Sequence, residues 1–193
     1  LASSEDGLKT FLGRASSMLD AIERTSKPVI AAVNGAALAG GFEIVLACDL
    51  VVAAQSAQFG DAHINVGLLP GGGGSVRLPQ KIGINRAKYM LYSGKTVQAS
   101  EFVACGFVHE VVPDGELPAA AERLAAAIGG KSQAVLGRMK RLVEAGQNLS
   151  KSMALQFELL ACEAHSTSRD MKEGLAAFAE KRRPASAATS QVK

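Results

Sequence analysis

Gly40, Gly41 and Glu43 are the residues of this chain whose types and spacing most directly suggest chemistry. They close the run Lys27-Pro28-Val29-Ile30-Ala31-Ala32-Val33-Asn34-Gly35-Ala36-Ala37-Leu38-Ala39-Gly40-Gly41-Phe42-Glu43, which reads as a buried strand, a small-residue turn, and a helix beginning on two glycines. A helix start leaves backbone N–H groups without intrahelical partners and carries the positive end of the dipole. An oxygen that gains negative charge during a reaction is stabilised there, and glycine lets it come close. Glu43, three residues after Gly40, falls on the same side of the helix about one turn along and aims a carboxylate at whatever the Gly40 amide holds. Two plainer readings stand beside this one: the glycine pair suits close strand–helix packing, and a first-turn acid complements the dipole.

Other chemistries lack their residues. Leu69-Pro70 followed by Gly71 to Gly74 has the glycines of a phosphate loop but not its Gly-Lys-Ser/Thr ending. No His/Cys/Asp/Glu spacing suggests a metal site, and there is no Gly-x-Ser-x-Gly elbow. Cys48, Cys105 and Cys162 are odd in number, far apart and in apolar settings, as expected of reduced core or interface residues. The net charge of +3 and the 5% aromatic content argue against nucleic acid.

The opening run resembles the crotonase (enoyl-CoA hydratase/isomerase) family. The resemblance continues through Ala47-Cys48-Asp49-Leu50, Ala57-Gln58-Phe59-Gly60, Gly67-Leu68-Leu69-Pro70-Gly71-Gly72-Gly73-Gly74, Arg77-Leu78, Gly94-Lys95 and Gly106-Phe107-Val108, and closes on Lys172-Glu173-Gly174 and Phe178-Ala179-Glu180-Lys181-Arg182. It implies an α/β, crotonase-like (ClpP/crotonase) strand–helix core with a helical C-terminal trimerisation region. It also implies a coenzyme A thioester as substrate, with no separate cofactor and no metal.

Under this resemblance the Gly40 amide faces the thioester oxygen, with Ala39 and Gly41 beside it, and Glu43 matches one of two catalytic glutamates of the hydratases. The second belongs twenty positions later, where this chain has His63, in Phe59-Gly60-Asp61-Ala62-His63-Ile64. An imidazole can accept or donate a proton near neutral pH, and the bland alternative is a partly buried histidine bonded to backbone. Asp61 is a second candidate for a substitute acid, although its position reads more readily as a turn residue. Leu68, Leu69, Pro70 and Gly71 are expected to shape the acyl pocket. Phe178 and Lys181 match a pair that holds the adenine and phosphates of coenzyme A, often from a neighbouring subunit; a solvated, cation-rich helix end is the ordinary reading. His63 leaves the reaction open among hydration, isomerisation and other thioester chemistry such as hydrolysis or decarboxylation, or a non-catalytic acyl-CoA-binding subunit.

The elements that must position these residues follow from periodicity. Leu8, Phe11, Leu12, Ala15, Leu19 and Ile22 predict a first helix ending near Thr25, with Ser3 and Asp6 in a capping arrangement. Val29–Val33 and Leu50–Ala53 read as strands buried on both faces, with a short helix over Glu43–Ala47 between them. A third strand is expected within Phe107–Val112, stopped by Pro113-Asp114-Gly115. Helices are expected over Ile84–Leu91, Ala99–Ala104, Leu117–Ile128, Lys131–Ala145 and Ser150–Lys181, the last broken near His165–Ser168.

Three strands are few for a sheet that usually has about five or six. The resemblance places further strands, and the other half of the oxyanion site, upstream of Leu1. The domains read as residues 1–115, the C-terminal part of the core; 116–183, a helical region; and 184–193, an Ala/Ser-rich flexible tail. Met153, Leu155, Phe157, Leu160 and Ala161 resemble the family's subunit-packing surface, implying a homotrimer or a dimer of trimers. No apolar run reaches the roughly 20 residues that cross a bilayer. The expected setting is the bacterial cytoplasm, or the mitochondrial matrix in a eukaryote.

Overall fold

Two short strands either side of a glycine-led helix organise the first half of the chain. The computed structural model describes residues 5–185. In chain order these form α1 (Glu5–Arg24), β1 (Ile30–Val33), β2 (Ala36–Leu38), α2 (Gly40–Ala47), β3 (Leu50–Ala54) and β4 (Gln58–Gly60). A 3₁₀ turn at His63–Val66 leads to α3 (Gly74–Ile82), α4 (Ile84–Ser93), β5 (Val97–Gln98), β6 (Glu110–Val112) and α5 (Leu117–Gly129). Then come α6 (Gln133–Gly146), α7 (Lys151–His165) and α8 (Arg169–Ala179). The chain divides into two compact units, Leu1–Arg24 with Val29–Leu124, and Thr25–Pro28 with Ala125–Lys193.

The first unit holds two three-stranded sheets, ordered β1-β3-β6 and β2-β4-β5, parallel except where β5 meets β4. Parallel neighbours need crossovers, and α2 supplies the one between β1 and β3. The Asp49 carboxylate fixes the start of β1 by accepting the Val29 N–H at 2.7 Å, while Val29 C=O accepts from Asp49 and Leu50.

Among the described residues six strands replace the expected three. The additional ones, β2, β4 and β5, have only two or three residues each, too few for alternation to show. β1 is not buried on both faces: it has a neighbour on one side only among the described residues, and Ala32 is exposed. The expected strand Phe107–Val112 shortens to Glu110–Val112, because Phe107 and Val108 instead drop their side chains into the core. The helix expected over Ala99–Ala104 is a single 3₁₀ turn, Ala99–Phe102. Ser3 and the tail from residue 186 lie outside the described residues. Among the cysteines only Cys48 is buried; Cys105 and Cys162 are exposed, and none of the three forms a disulfide.

Four phenylalanines interlock at the centre. Phe59 lies 5.6 Å from Phe42, 5.7 Å from Phe102 and 5.8 Å from Phe107, ring centre to ring centre, the last two pairs edge-on. This geometry suits the ring quadrupoles. Phe42 directly precedes Glu43 on α2, and Phe59 sits two residues before Asp61, so the aromatic cluster sets the rotation of α2 and the end of β4 together.

In the second unit, Ser132, Ser150 and Ser168 cap α6, α7 and α8 through their hydroxyls. Buried Lys140 of α6 donates to Lys27 C=O, and Gly137 lies so close that a Cβ there would stand 2.7 Å from Ser26 C=O. No residue of α7 is buried, and Met153, Leu155, Phe157, Leu159 and Leu160 are all exposed. No helix among the described residues is long and apolar enough to cross a membrane. Truncating Phe59 to Ala should cost about 3–5 kcal/mol of stability, and Phe59→Leu markedly less, measured by urea denaturation.

Candidate active site

Ala39 makes the turn from which the site begins. Its backbone, at φ 48° and ψ −121°, lies where a non-glycine residue is strained by about 1–3 kcal/mol. Two bonds hold it: its N–H donates to Gly60 C=O at 2.9 Å, and its own C=O accepts the Glu43 N–H at 3.0 Å. The chain therefore enters α2 with Gly40 and Gly41 exposed at the helix start, their N–H groups ahead of any intrahelical acceptor.

Glu43 is 5% exposed. Its Oε1 accepts two backbone N–H bonds, from Gly72 at 2.7 Å and from Gly74 at 2.9 Å. Gly74 is also the first residue of α3, so the carboxylate sits at the positive end of a second helix besides its own. The glycine run is shaped around it. A Cβ on Gly72 would stand 2.6 Å from Glu43 Oε2 and 2.7 Å from the Leu19 side chain, and one on Gly74 would stand 2.7 Å from Asp61 Oδ2. Gly73 turns at φ +88°, with Arg77 where its side chain would go.

Arg77 ties this loop to α1. It donates to Gly72 C=O at 2.6 Å and makes a two-pronged pair with Glu23, at 2.5 and 2.7 Å. Hydrogen bonding to Glu23 raises the guanidinium above its ordinary pKa against the opposing effect of burial, with Asp20 and Glu43 adding attraction. Leu19 and Glu23 thus serve the site from α1, although the expected apolar face of that helix buries only Leu19 and leaves Leu8, Phe11 and Leu12 exposed.

Opposite Glu43, Asp61 is 2% exposed and its Oδ1 lies 3.0 Å from His63 Nδ1. Asp61 is therefore no solvated turn residue. Its signal in the sequence was only an acid two places from a histidine, too common a pattern to single out. Gly72 and Gly74 also went unrecognised as donors, since glycine runs more often mark shape than hydrogen bonding.

The remaining candidates fall in different places. Leu68 and Leu69 are 59% and 85% exposed, with Pro70 and Gly71 leading from them into the loop that holds Glu43. Phe178 and Lys181 belong to the second unit. Phe178 is 85% exposed at the end of α8, and Lys181 is exposed with a left-handed backbone at φ 54°. Beside them Arg182 grips Glu173 at 2.6 Å, and with the Ala185 N–H holds its carboxyl down to about 2.

A parallel-sheet core with a crossover helix, an open helix start and a buried acid beside it defines an α/β protein with a candidate site at the start of α2. The family model for enoyl-CoA hydratase/isomerase matches residues 6–187, and the chain belongs to that family. It is 38% identical over 162 residues to the crotonyl-CoA hydratase of Syntrophomonas wolfei, a match covering 84% of this chain and 62% of that one. It is 35% identical to the short-chain-enoyl-CoA hydratase of Clostridium acetobutylicum, with the same coverage. The crystal structure of the enoyl-CoA hydratase from Bacillus anthracis superposes with a TM-score of 0.91 at 35% identity, covering 96% of this chain and 72% of that one. The crotonase-like fold is thereby confirmed. The chain spans 59% to 66% of the length of the curated relatives it matches.

Gly74→Ala should displace one of two buried carboxylates, costing about 1–3 kcal/mol in urea denaturation. Gly115→Ala, where a Cβ meets nothing within 4 Å, should stay within about 0.5 kcal/mol of the parent.

Proposed function

We propose that this chain is an enzyme of acyl-CoA thioesters that works through a stabilised enolate, with hydration or isomerisation of an enoyl-CoA as its reaction. The observation that carries the reading is the buried Glu43 carboxylate, fixed by two loop amides three residues after the Gly40 helix start. The thioester carbonyl oxygen rests against the Gly40 N–H. In hydration Glu43 takes a proton from water as the water oxygen bonds to Cβ. The π electrons shift toward the thioester oxygen, and the resulting enolate takes that proton from Glu43 at Cα, which returns the carboxylate to its starting state. His63 is a second group able to take and return a proton. A donor placed for the enolate oxygen is worth about 3 kcal/mol in comparable sites.

Ala39, Gly41, Leu68, Leu69, Pro70 and Gly71 border the acyl group; the exposure of Leu68 and Leu69 leaves them free to meet it. Phe178 offers a ring for the adenine and Lys181 an ammonium for the phosphates. The exposed apolar side chains of α7 support packing between subunits in a homotrimer or a dimer of trimers. His63 in the position of the second glutamate favours one further reading, a different reaction of the same enolate, such as hydrolysis or decarboxylation.

The test is α-proton exchange with acyl- and enoyl-CoA thioesters in deuterated water, followed by mass and product analysis. Exchange and hydration by the unaltered chain are expected, with Glu43→Gln at least about a hundredfold slower and coenzyme A affinity within about threefold. Equal loss of rate and affinity would remove Glu43 from the chemistry. Tight binding without exchange would make the chain a binding subunit.

A further inference from the structure

The Asp61–His63 pair is built in a way that a structural role does not explain. β4 ends at Gly60, and Ala62 takes a left-handed backbone at φ 57°, an uncommon state for a residue with a side chain. This turn brings side chains two residues apart to one side, so that Asp61 Oδ1 meets His63 Nδ1 at 3.0 Å. An aspartate that stabilises a turn accepts N–H groups of its own backbone. Asp61 does not: its Oδ1 bonds only the imidazole, and its buried Oδ2 has no partner among the described residues.

That unpartnered oxygen is aimed into the site. The point where a Gly74 Cβ would stand is 2.7 Å from Asp61 Oδ2 and 3.3 Å from Glu43 Oε1. The two acids therefore converge on Gly74, one of the two residues whose N–H holds Glu43. A buried acceptor left unmade is costly, and that cost is relieved when a polar ligand atom or water reaches it.

The pairing also decides the chemistry of the ring. An ionised carboxylate can only accept, so the bond to Oδ1 requires the proton of a neutral His63 to be on Nδ1. Nε2 is then the nitrogen with the free lone pair. It has no hydrogen-bond partner among the described residues, and the His63 side chain keeps 12% of its surface open.

We propose that Asp61 is a positioning residue that holds His63 by Nδ1, so that Nε2 is the basic nitrogen left available in the site that holds Glu43. The proposal rests on the acyl-CoA reading above and assigns the second proton-handling unit of that site to an imidazole–carboxylate pair. His63 abstracts or returns the proton; Asp61 touches only His63 and fixes which nitrogen is available. An Asn at position 61 keeps the shape but presents an amide that can donate as well as accept, and the ring is no longer bound to one tautomer.

Two measurements on the full-length chain test this. In ¹⁵N-histidine-labelled protein, with the His63 signals assigned by their loss in His63→Gln, long-range ¹H–¹⁵N spectra report which ring nitrogen carries the proton. The expected spectrum has a protonated Nδ1 and a bare Nε2, becoming a mixture in Asp61→Asn. With crotonyl-CoA as the probe, Asp61→Asn should lower kcat about a hundredfold with KM within about threefold. The double variant Asp61→Asn/His63→Gln should be no slower than His63→Gln alone, because Asp61 acts only through the ring. A protonated Nε2 in the unaltered chain overturns the proposal, as do losses that multiply in the double variant. Should the unaltered chain leave crotonyl-CoA unchanged, hydration of that substrate is what fails, and the tautomer spectrum still decides the part played by Asp61.

Discussion

The Glu43 carboxylate held on the N–H groups of Gly72 and Gly74 is the interaction on which the rest of the first unit depends. A buried carboxylate is costly unless its oxygens find donors, and backbone amides supply them without side chains that could swing away. Bringing two loop amides to one oxygen constrains the loop severely. Gly72 and Gly74 cannot carry a Cβ without meeting Glu43, Leu19 or Asp61, and Gly73 needs its positive φ to pass between them. The glycine run is thus the mould of one carboxylate. This accounts for a glycine run that opens α3 without the lysine of a phosphate loop.

The charges around this contact form a graded set. Glu43 and Asp61 are buried and close, which would oppose each other if no cation were near. Arg77 answers from the other side of the loop: it holds Gly72 C=O and is itself clamped by Glu23. The cation acts on Glu43 through space rather than by direct pairing, which leaves the carboxylate free of a guanidinium that would block access to it. The cost of fixing Arg77 is met on α1. That helix is therefore part of the site's support even though much of its apolar face is exposed.

Much of the fold was legible because long apolar periodicities survive in the sequence. α1, α4, α5, α6 and the break between α7 and α8 lie within a few residues of their expected limits, as do β1 and β3. The short strands β2, β4 and β5 exist only through their partners; three residues cannot announce a strand when the information lies in Ala36 opposite Gln58 or Phe59 opposite Val97. α3 was hidden by the glycines before it and by Pro79 within it, both ordinarily signs of a helix ending. Of the site, the neighbourhood of Gly40 and Glu43 was readable because helical spacing places them one turn apart. Asp61 was not, since its burial follows from Gly74 lacking a side chain, a fact thirteen positions away in the chain.

A site assembled this way carries its own geometry. The groups that bond Glu43, Asp61 and Arg77 all come from α1, the turn after β4, and the loop opening α3, and the aromatic cluster of Phe42, Phe59, Phe102 and Phe107 fixes the two elements that present the acids. None of these contacts uses the free edge of β1 or of β2. Among the described residues those edges have no strand neighbour, and the bonds that aim Glu43 do not depend on one. The geometry around Glu43 is therefore determined by packing within the first unit.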